Sequence, residues 1–413
     1  MMPSLTPVNA ILVGAALLAG PLHAEVELSG VYYYEPARLV QVRDALARGA
    51  ADAEIRAAAE MLREEADDAL RRGPYTVMDK QGTPPGGDKH DYVSYGVYWW
   101  PTPDTADGLP YIRRDGETNH ELRAQGDRDR LSKMIDDVET LALGHYLLGR
   151  SDYVAHAAKL LRAWFLDDAT RMNPHLRYAQ AIPGVNQGRG SGIIDARGFV
   201  KFLDAIALLH HAGGLEESDM QGLRQWFQSY AKWLLTSEPG RKERAAKNNH
   251  GNWYAAQAAR VALFVGDEST ARELIEDARD NRLPHAIDGD GRQPEELTRT
   301  RSLHYSLFSL EAFACLARFG EALGIDLWGH RAEDGASIDS ALAYVTPYVL
   351  DQEAWPYEQI HDYRLSPDII SFLRMADARY DNPLYARVIR DAPRSNRDRV
   401  YAPLLFEGGE TRR

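Results

Sequence analysis

The chain has 413 residues, a net charge of −13 and one cysteine, Cys315. The acidic excess argues against nucleic acid as a partner, because binding to a phosphate backbone requires a basic surface. A single cysteine excludes an intrachain disulfide, and its apolar helical surroundings predict a buried packing role.

The N-terminus predicts export. Residues 10–20 form an apolar run, followed by the small Ala24 and the acidic Glu25. The run is too short to span a bilayer as a helix, and a small residue before an acidic start is typical of a signal-peptidase site. We expect residues 1–24 to be a signal peptide and residues 25–413 to be one domain, since no linker divides it. The expected location is the periplasm, with secretion as the alternative and no membrane partner afterwards.

Helical periodicity dominates the rest of the chain, and strand-like alternation is confined to residues 92–100. Short turns at 149–152 and 266–269 join the helical stretches and favour antiparallel hairpins. At this length the economical closed arrangement is all-α: an α/α toroid, an incomplete barrel of helical hairpins whose inner helices line a cleft. The predicted helices are 37–72, interrupted near Gly49, then 130–148, 152–166, 194–211, 216–235, 252–264, 269–279, 301–323, 338–348 and 366–380.

Two long irregular segments interrupt this helical pattern. Residues 73–119 carry several prolines and a run of aromatic side chains, and residues 173–197 carry four closely spaced glycines. Long ordered loops in a helical protein tend to build its functional face. We therefore expect both segments to form the walls of the cleft.

Two short motifs supply chemically useful groups: KNNHGNWY at 247–254 and ELTRTRSLHY at 296–305. Together they offer an amide, an imidazole, a guanidinium and a phenol. β-Elimination of a 4-linked uronate needs fixed donors at its carboxylate, because the developing enolate must be stabilised. Asn249, His250 and Arg299 are suitable donors. A helix N-cap explains the first motif equally well, and both hold if Asn248 caps the helix.

Tyr305 is the candidate for proton transfer. One tyrosine can remove the C5 proton and protonate O4 when both lie on one face of the sugar, as in mannuronate and glucuronate. Its pKa, ordinarily about 10, has to fall for this, and a nearby arginine would stabilise the phenolate. If the helix begins near Thr300 or Arg301, the preceding loop can turn Arg299 back towards Tyr305. A core tyrosine is the alternative.

The motifs NNHGNW and ELTRTRSLHYS resemble the signature of the alginate lyase superfamily of polysaccharide lyases, including its glucuronan-lyase branch. The resemblance extends to residues 89–92, 98–101, 108–116 and 355–357, and covers roughly residues 35–375. It implies an α/α barrel and an enzyme that cleaves an anionic polysaccharide. It also implies that Asn249, His250 and Arg299 neutralise the substrate carboxylate and that Tyr305 is the acid and base, with His250 as the alternative base.

The spacing between Arg299 and Tyr305 is one residue shorter than in the well-known periplasmic alginate lyases. This departure leaves glucuronan, or a mixed range of uronates, open beside mannuronate-rich alginate. The sequence carries no signal for endo or exo action, or for oligomeric state.

Further polar and aromatic side chains of these segments are candidates for substrate binding. Exposed aromatic rings can stack on sugar faces, although aromatic clusters are more often core, and the planar fork of arginine suits carboxylates. The candidates are His90, Tyr92, Tyr98, Trp99, Trp100, Arg113, Arg114, Gln187, Arg189, Trp253, Trp355 and Tyr357.

Other functions have weaker signals. Residues 288–291 resemble the start of a calcium loop, but Arg299 stands where the loop needs a glutamate, and no cofactor or metal is expected. An inverting glycoside hydrolase would need two carboxylates about 6.5–9.5 Å apart, for which Asp91, Asp195 and Glu296 are candidates. A non-catalytic glycan-binding protein would keep the aromatic cleft without turnover.

Overall fold

The computed structural model describes residues 28–380, 382–393 and 401–408. The predicted signal peptide and its cleavage site lie outside these ranges, so export stays a prediction. Within the described residues, no helix has the length and apolar character needed to cross a membrane.

Helices form most of the described chain. They are α1 Pro36–Ala47, α2 Ala53–Ala69, α3 His120–Ala124, α4 Arg128–Leu148, α5 Ser151–Leu161, α6 Phe199–His211, α7 Glu217–Thr236, α8 Glu238–Arg244, α9 Asn249–Val265, α10 Glu268–Asp277, α11 Leu283–Ala286, α12 Pro294–Leu297, α13 Ser302–Ala322, α14 Ile338–Leu350, α15 Pro367–Arg379, α16 Pro383–Asp391 and α17 Ala402–Leu405. The short strands are β1 Val93–Tyr95, β2 Trp99–Trp100, β3 Ile112–Arg113 and β4 Tyr178–Ala181.

The helices close into a ring. Helices α4, α6, α9, α13 and α15 pack against one another in chain order, and α17 links α15 back to α1 and α2, which pack on α4. Helices α5, α7, α10, α14 and α16 pack outside this inner set. This ring confirms the predicted α/α toroid. It is stable because each hairpin buries its apolar face against its neighbours.

The predicted helix boundaries differ from the structure in two instructive places. Helix α9 begins at Asn249, three residues earlier than predicted, because the Asn248 side chain caps it by accepting the His250 backbone N–H at 3.2 Å. The predicted helix 194–211 instead divides into a 3-10 segment, Gly190–Ala196, and α6. Apolar spacing alone does not show where the backbone changes from one helix type to the other.

A buried ion pair fixes the N-terminal segment across the ring. Asp204 on α6 accepts the backbone N–H groups of Tyr32, Tyr33 and Tyr34. Its carboxylate also lies 2.8 Å from Nη2 of Arg260 on α9, and both side chains are fully buried. Burial raises the pKa of Asp204, while Arg260 and the N–H donors act in the opposite direction. One carboxylate thus joins the N-terminal segment to two inner helices.

We predict that Asp204→Asn lowers the free energy of unfolding by about 3 kcal/mol or more, since Arg260 would stay buried without its anion. Denaturant unfolding measures this loss. The matched control is Glu273→Gln, which removes the exposed pair with Arg244 at 2.9 Å and should cost less than about 1 kcal/mol. An equal, small effect of both changes would contradict the anchoring role.

The two irregular segments meet through strand pairing. Strand β1 pairs with β4 in parallel, which joins residues 73–119 to residues 173–197. Strand β2 pairs antiparallel with β3 and forms a small flap. Contacts from this flap and the chain around it reach the N-terminal end of α13, where the second motif lies.

Candidate active site

Arg299 stacks on the ring of Tyr305. Tyr305 lies in the first turn of α13, and Arg299 lies in the preceding loop, as the sequence predicted. The guanidinium carbon of Arg299 is 3.7 Å from the centroid of the Tyr305 ring. The loop therefore turns back, and the two side chains meet although helical spacing alone does not align them.

Asp115 holds Arg299 in this position. The carboxylate accepts two hydrogen bonds from Arg299, from Nε at 3.0 Å and Nη2 at 2.8 Å. It also accepts one from Arg113 at 2.6 Å and one from the backbone N–H of Thr300 at 3.3 Å. Burial acts to raise the pKa of Asp115, but Arg299 and Arg113 hold it well below its ordinary value. Asp115 is therefore a fixed anion.

The Tyr305 hydroxyl lies 2.8 Å from that of Tyr98, and Tyr305 is only 7% exposed. Burial raises the pKa of Tyr305 above its ordinary value, Tyr98 adds to this, and Arg299 opposes it. The direction is opposite to the fall that the sequence analysis required. A raised pKa favours the neutral phenol, which can donate a proton.

Asn249 is held by Glu296, a residue of the second motif. The backbone N–H and side-chain Nδ2 of Asn249 donate to the two carboxylate oxygens, at 2.5 and 2.7 Å. Burial raises the pKa of Glu296, and these hydrogen bonds oppose the rise. Asn249 itself is fully buried. Its amide carries a second N–H beyond the one that Glu296 accepts.

His250 is oriented by Glu243 at the end of α8. Its Nδ1 lies 2.6 Å from Glu243 Oε1. Because an ionised carboxylate only accepts hydrogen bonds, Nδ1 carries the proton and Nε2 is left as an acceptor. The next residue, Gly251, allows the preceding loop to come close, since a Cβ there would collide with the carbonyl of Ala246.

The two motifs meet at the N-terminal ends of α9 and α13, which pack side by side. Glu296 binds Asn249 and lies within electrostatic range of both His250 and Arg299. Arg299 in turn stacks on Tyr305. Contacts and longer-range electrostatic interactions therefore connect the four residues that the sequence singled out.

Several of the predicted substrate-binding residues surround this centre. Arg189 lies 6.0 Å from the Trp99 ring, and Arg114 lies 5.2 Å from the Trp100 ring. Burial lowers the pKa of Arg189. Gln187 is exposed in the glycine-rich loop. Substrate contact by these residues stays a prediction.

Three of the aromatic candidates are buried and bonded to the protein. Tyr92 is fully buried and donates to Asp195 at 3.1 Å. Trp253 is fully buried and donates to a carbonyl of α13. Trp355 is buried and donates to Ser302 Oγ at 2.8 Å. All three rings pack against the protein in this structure, so they are unsuited to stacking on a sugar, and substrate contact by them stays a prediction.

His90 and Tyr357 lie to either side of the central cluster. His90 Nδ1 is 2.6 Å from the carbonyl of Arg171, in a loop pair that also holds Asp91. In the described ranges, no contact joins His90 to Tyr305. Tyr357 is half-buried, with its ring 5.2 Å from that of Trp355. Their binding roles stay predictions.

The carboxylates considered for a hydrolase are all engaged by the protein. Asp91 lies 3.1 Å from His175 Nε2, Asp195 accepts the Gln180 amide at 3.0 Å, and Glu296 binds Asn249. None of the three is left as a free acid. Among the described residues, no cluster of three or more His, Cys, Asp or Glu could hold a metal ion.

Comparison with known proteins agrees with this geometry. The family model described as alginate lyase matches residues 76–355, most of the chain. The chain belongs to the alginate lyase family. It is thus a polysaccharide lyase. No curated protein sequence matches it.

Solved alginate lyases share the fold. An alginate lyase from Bacteroides ovatus is 36% identical, with a TM-score of 0.84, over 90% of this chain and 98% of that chain. Alginate lyase A1-III from Sphingomonas species A1 is 18% identical, with a TM-score of 0.58, over 92% and 97%. A histidine-to-alanine variant of A1-III, complexed with a tetrasaccharide, is 17% identical, with a TM-score of 0.60, over 91% and 95%.

Three supporting residues of this lyase were missed by sequence reasoning. Glu243 orients His250 from a different helix, and Asp115 reaches Arg299 from 184 residues away. Glu296 was considered only as a hydrolase acid, although its place three residues before Arg299 was a usable signal. Nothing local in the sequence marks the other two.

We predict that Asp115→Asn lowers kcat about a hundredfold with a smaller change in KM, because Arg299 loses the anion that aligns it with Tyr305. Initial rates of release of unsaturated uronate measure this. Asp152→Asn, which removes the exposed pair with Arg150 at 2.7 Å, is the control and should leave kcat unchanged. Wild-type kcat in Asp115→Asn would show that Arg299 needs no such anchor.

Proposed function

We propose that this lyase cleaves a 4-linked polyuronate whose C5 proton and O4 lie on the same face of the sugar: mannuronate-rich alginate or glucuronan. The new non-reducing end would be a 4,5-unsaturated uronate. The observation that carries the proposal is the Arg299 guanidinium stacked on the Tyr305 ring at 3.7 Å, which sets a carboxylate-binding cation beside a proton-transfer group.

Three donors are suited to the carboxylate of the reacting sugar. Asp115 occupies Nε and Nη2 of Arg299, which leaves Nη1 for a ligand. Asn249 keeps one amide N–H beyond the one that binds Glu296. His250 donates from Nδ1 to Glu243, and it becomes a third donor to the substrate only when Nε2 carries a proton as well. Fixed donors in a buried site stabilise a developing enolate more strongly than water does.

In the proposed reaction, Tyr305 acts first as base and then as acid. Its phenolate takes the proton from C5, and the electron pair of that C–H bond forms the C4=C5 double bond. The C4–O4 bond breaks, and O4 receives the proton back from Tyr305. One group serves both steps because the two positions are syn, and Arg299 is the neighbour that favours the phenolate.

The raised pKa of Tyr305 makes a prediction about pH. A base works only when deprotonated, so raising its pKa moves activity to higher pH. We expect kcat/KM to rise about tenfold per pH unit through neutrality, without a plateau before alkaline pH. A pH–rate profile measures this.

If His250 is the base instead, kcat/KM does not follow the deprotonation of Tyr305 and should level off before alkaline pH. Such a plateau would contradict Tyr305 as base. In that case Tyr305 would keep only the role of acid, which its raised pKa suits.

Tyr305→Phe and Asn249→Ala are expected to abolish elimination, with losses of about a thousandfold or more in kcat, since each removes a group from the reacting centre. Release of unsaturated uronate from polymannuronate and glucuronan measures the loss, and thermal unfolding confirms that the variants are folded. Tyr153→Phe, which removes a hydroxyl bound to Asp67 away from the site, is the control. A variant with the wild-type rate removes its residue from the mechanism.

The relatives support this substrate class. The Bacteroides ovatus protein is an alginate lyase, and the A1-III variant binds a tetrasaccharide, which suits a cleft of several sugar subsites. We further propose that the enzyme acts after export to the periplasm. N-terminal sequencing of the protein from that compartment should then begin at Glu25, and a start at Met1 would contradict this.

A further inference from the structure

One face of α13 runs from the active site into the interior of the ring. His304, Phe308 and Glu311 share this face, because they are spaced by four and three residues. The His304 ring is 5.2 Å from that of Tyr305 and stacks on Phe308 at 5.9 Å. The guanidinium carbon of Arg197, from the chain just before α6, lies 5.4 Å from the centroid of the Phe308 ring. Arg197 therefore lies one step deeper in the ring than the catalytic tyrosine.

Within the described residues, no carboxylate lies at ion-pair distance from Arg197. Its guanidinium also makes no hydrogen bond to any residue that the structure describes. Lys201, one helical turn further along, is in contrast fully compensated by Asp368 at 2.7 Å and Glu139 at 3.6 Å. A half-buried guanidinium without an anion is costly to maintain unless a ligand supplies the anion.

Glu311 is the acidic residue on the same face of α13, but it forms no ion pair with Arg197. Glu311 is 8% exposed, and its carboxyl makes no hydrogen bond within the described part of the chain. Burial raises the pKa of Glu311 to about 8; Asp368 adds to this, while Arg197 and Lys201 act against it. At neutral pH a protonated Glu311 neither pairs with Arg197 nor repels an incoming anion.

Charged and titratable side chains from several elements surround Glu311. The groups that face it or its immediate neighbours are Arg197 and Lys201 at α6, Asp368 on α15, Cys315 on α13, Tyr363 before α15, Tyr33 of the N-terminal segment, and Asp136 and Glu139 on α4. Asp368 and Glu139 hold Lys201 at ion-pair distance, whereas Arg197 acts on Asp368 and Glu311 only over a longer range. Arg301, at the start of α13, is a further cation near His304 and Tyr363.

We propose that Arg197 binds the carboxylate of a second uronate, next to the sugar that reacts at Tyr305. This inference rests on the proposed function and names a further subsite for it. The planar fork of arginine suits a carboxylate, and the neutral His304 beside it supplies hydrogen bonding without charge. Burial lowers the pKa of His304 to about 3, and Arg301 and Arg197 add to this.

Calorimetric binding tests the subsite. A mannuronate tetramer, or a glucuronate tetramer if that polymer is the one cleaved, is titrated into Tyr305→Phe protein so that it is not consumed. When Arg197→Gln is combined with Tyr305→Phe, the Kd for the tetramer should be about 10- to 100-fold higher than for Tyr305→Phe alone. This is the range for losing a hydrogen-bonded charge pair. Arg224→Gln, an exposed arginine on α7, is the control and should leave Kd unchanged.

Two further measurements exclude a merely structural effect. Arg197→Lys keeps the charge and should recover part of the affinity. A tetramer whose carboxylates are methyl-esterified should bind Arg197→Gln and its parent equally. Arg197→Gln protein that binds the free tetramer as tightly as the Arg224→Gln control, with an unchanged thermal unfolding midpoint, overturns the inference.

The pH dependence of KM tests the part assigned to Glu311. KM should be flat up to about pH 8 and rise above it, because an ionised Glu311 would pair with Arg197 and repel the uronate. Glu311→Gln should remove the rise, and an equal rise in this variant overturns the role. Failure of the proposed function would look different from failure of this subsite, because the wild-type enzyme would then release no unsaturated product from any polyuronate.

Discussion

The active site depends on the ion pair between Asp115 and Arg299. It joins the flap around β2 and β3 to the loop before α13, across 184 residues of sequence. Two parallel hydrogen bonds fix both the position and the plane of the guanidinium, which a single point charge would not do. That plane lies on the ring of Tyr305. The same contact therefore fixes Arg299, the proposed substrate-binding cation, against Tyr305, the proposed acid and base.

Charge is arranged by depth in this enzyme. The chain as a whole is acidic, with a net charge of −13, yet Arg299 and Arg113 meet at Asp115 beside Tyr305, and Arg197 lies over the neighbouring Phe308. Deeper in the ring the acids outnumber the cations, and Lys201 is shared between two of them. Local rather than net charge therefore decides which anions the cleft can accept.

The sequence predicted the helical ring and the four central residues because both depend on local patterns: apolar spacing, a capping asparagine and two compact motifs. The supports of these residues were not predictable. Asp115 and Glu243 act across tertiary contacts that no spacing rule encodes. Whether a ring is exposed is also a property of the assembled fold, so the sequence did not show that Trp253 is buried. Burial raises the pKa of Tyr305, and burial could not be read from the sequence. The sequence showed only the nearby Arg299, which acts to lower that pKa.

The central claim is syn elimination on a polyuronate at Tyr305. Its most direct test is to incubate the enzyme separately with polymannuronate, glucuronan and polyguluronate, and to follow the ultraviolet absorbance of the unsaturated uronate together with new reducing ends. The account predicts that absorbance and reducing ends rise together on polymannuronate or glucuronan, and not on polyguluronate, whose C5 proton and O4 are not syn. Reducing ends without absorbance, or preferred cleavage of polyguluronate, would contradict it.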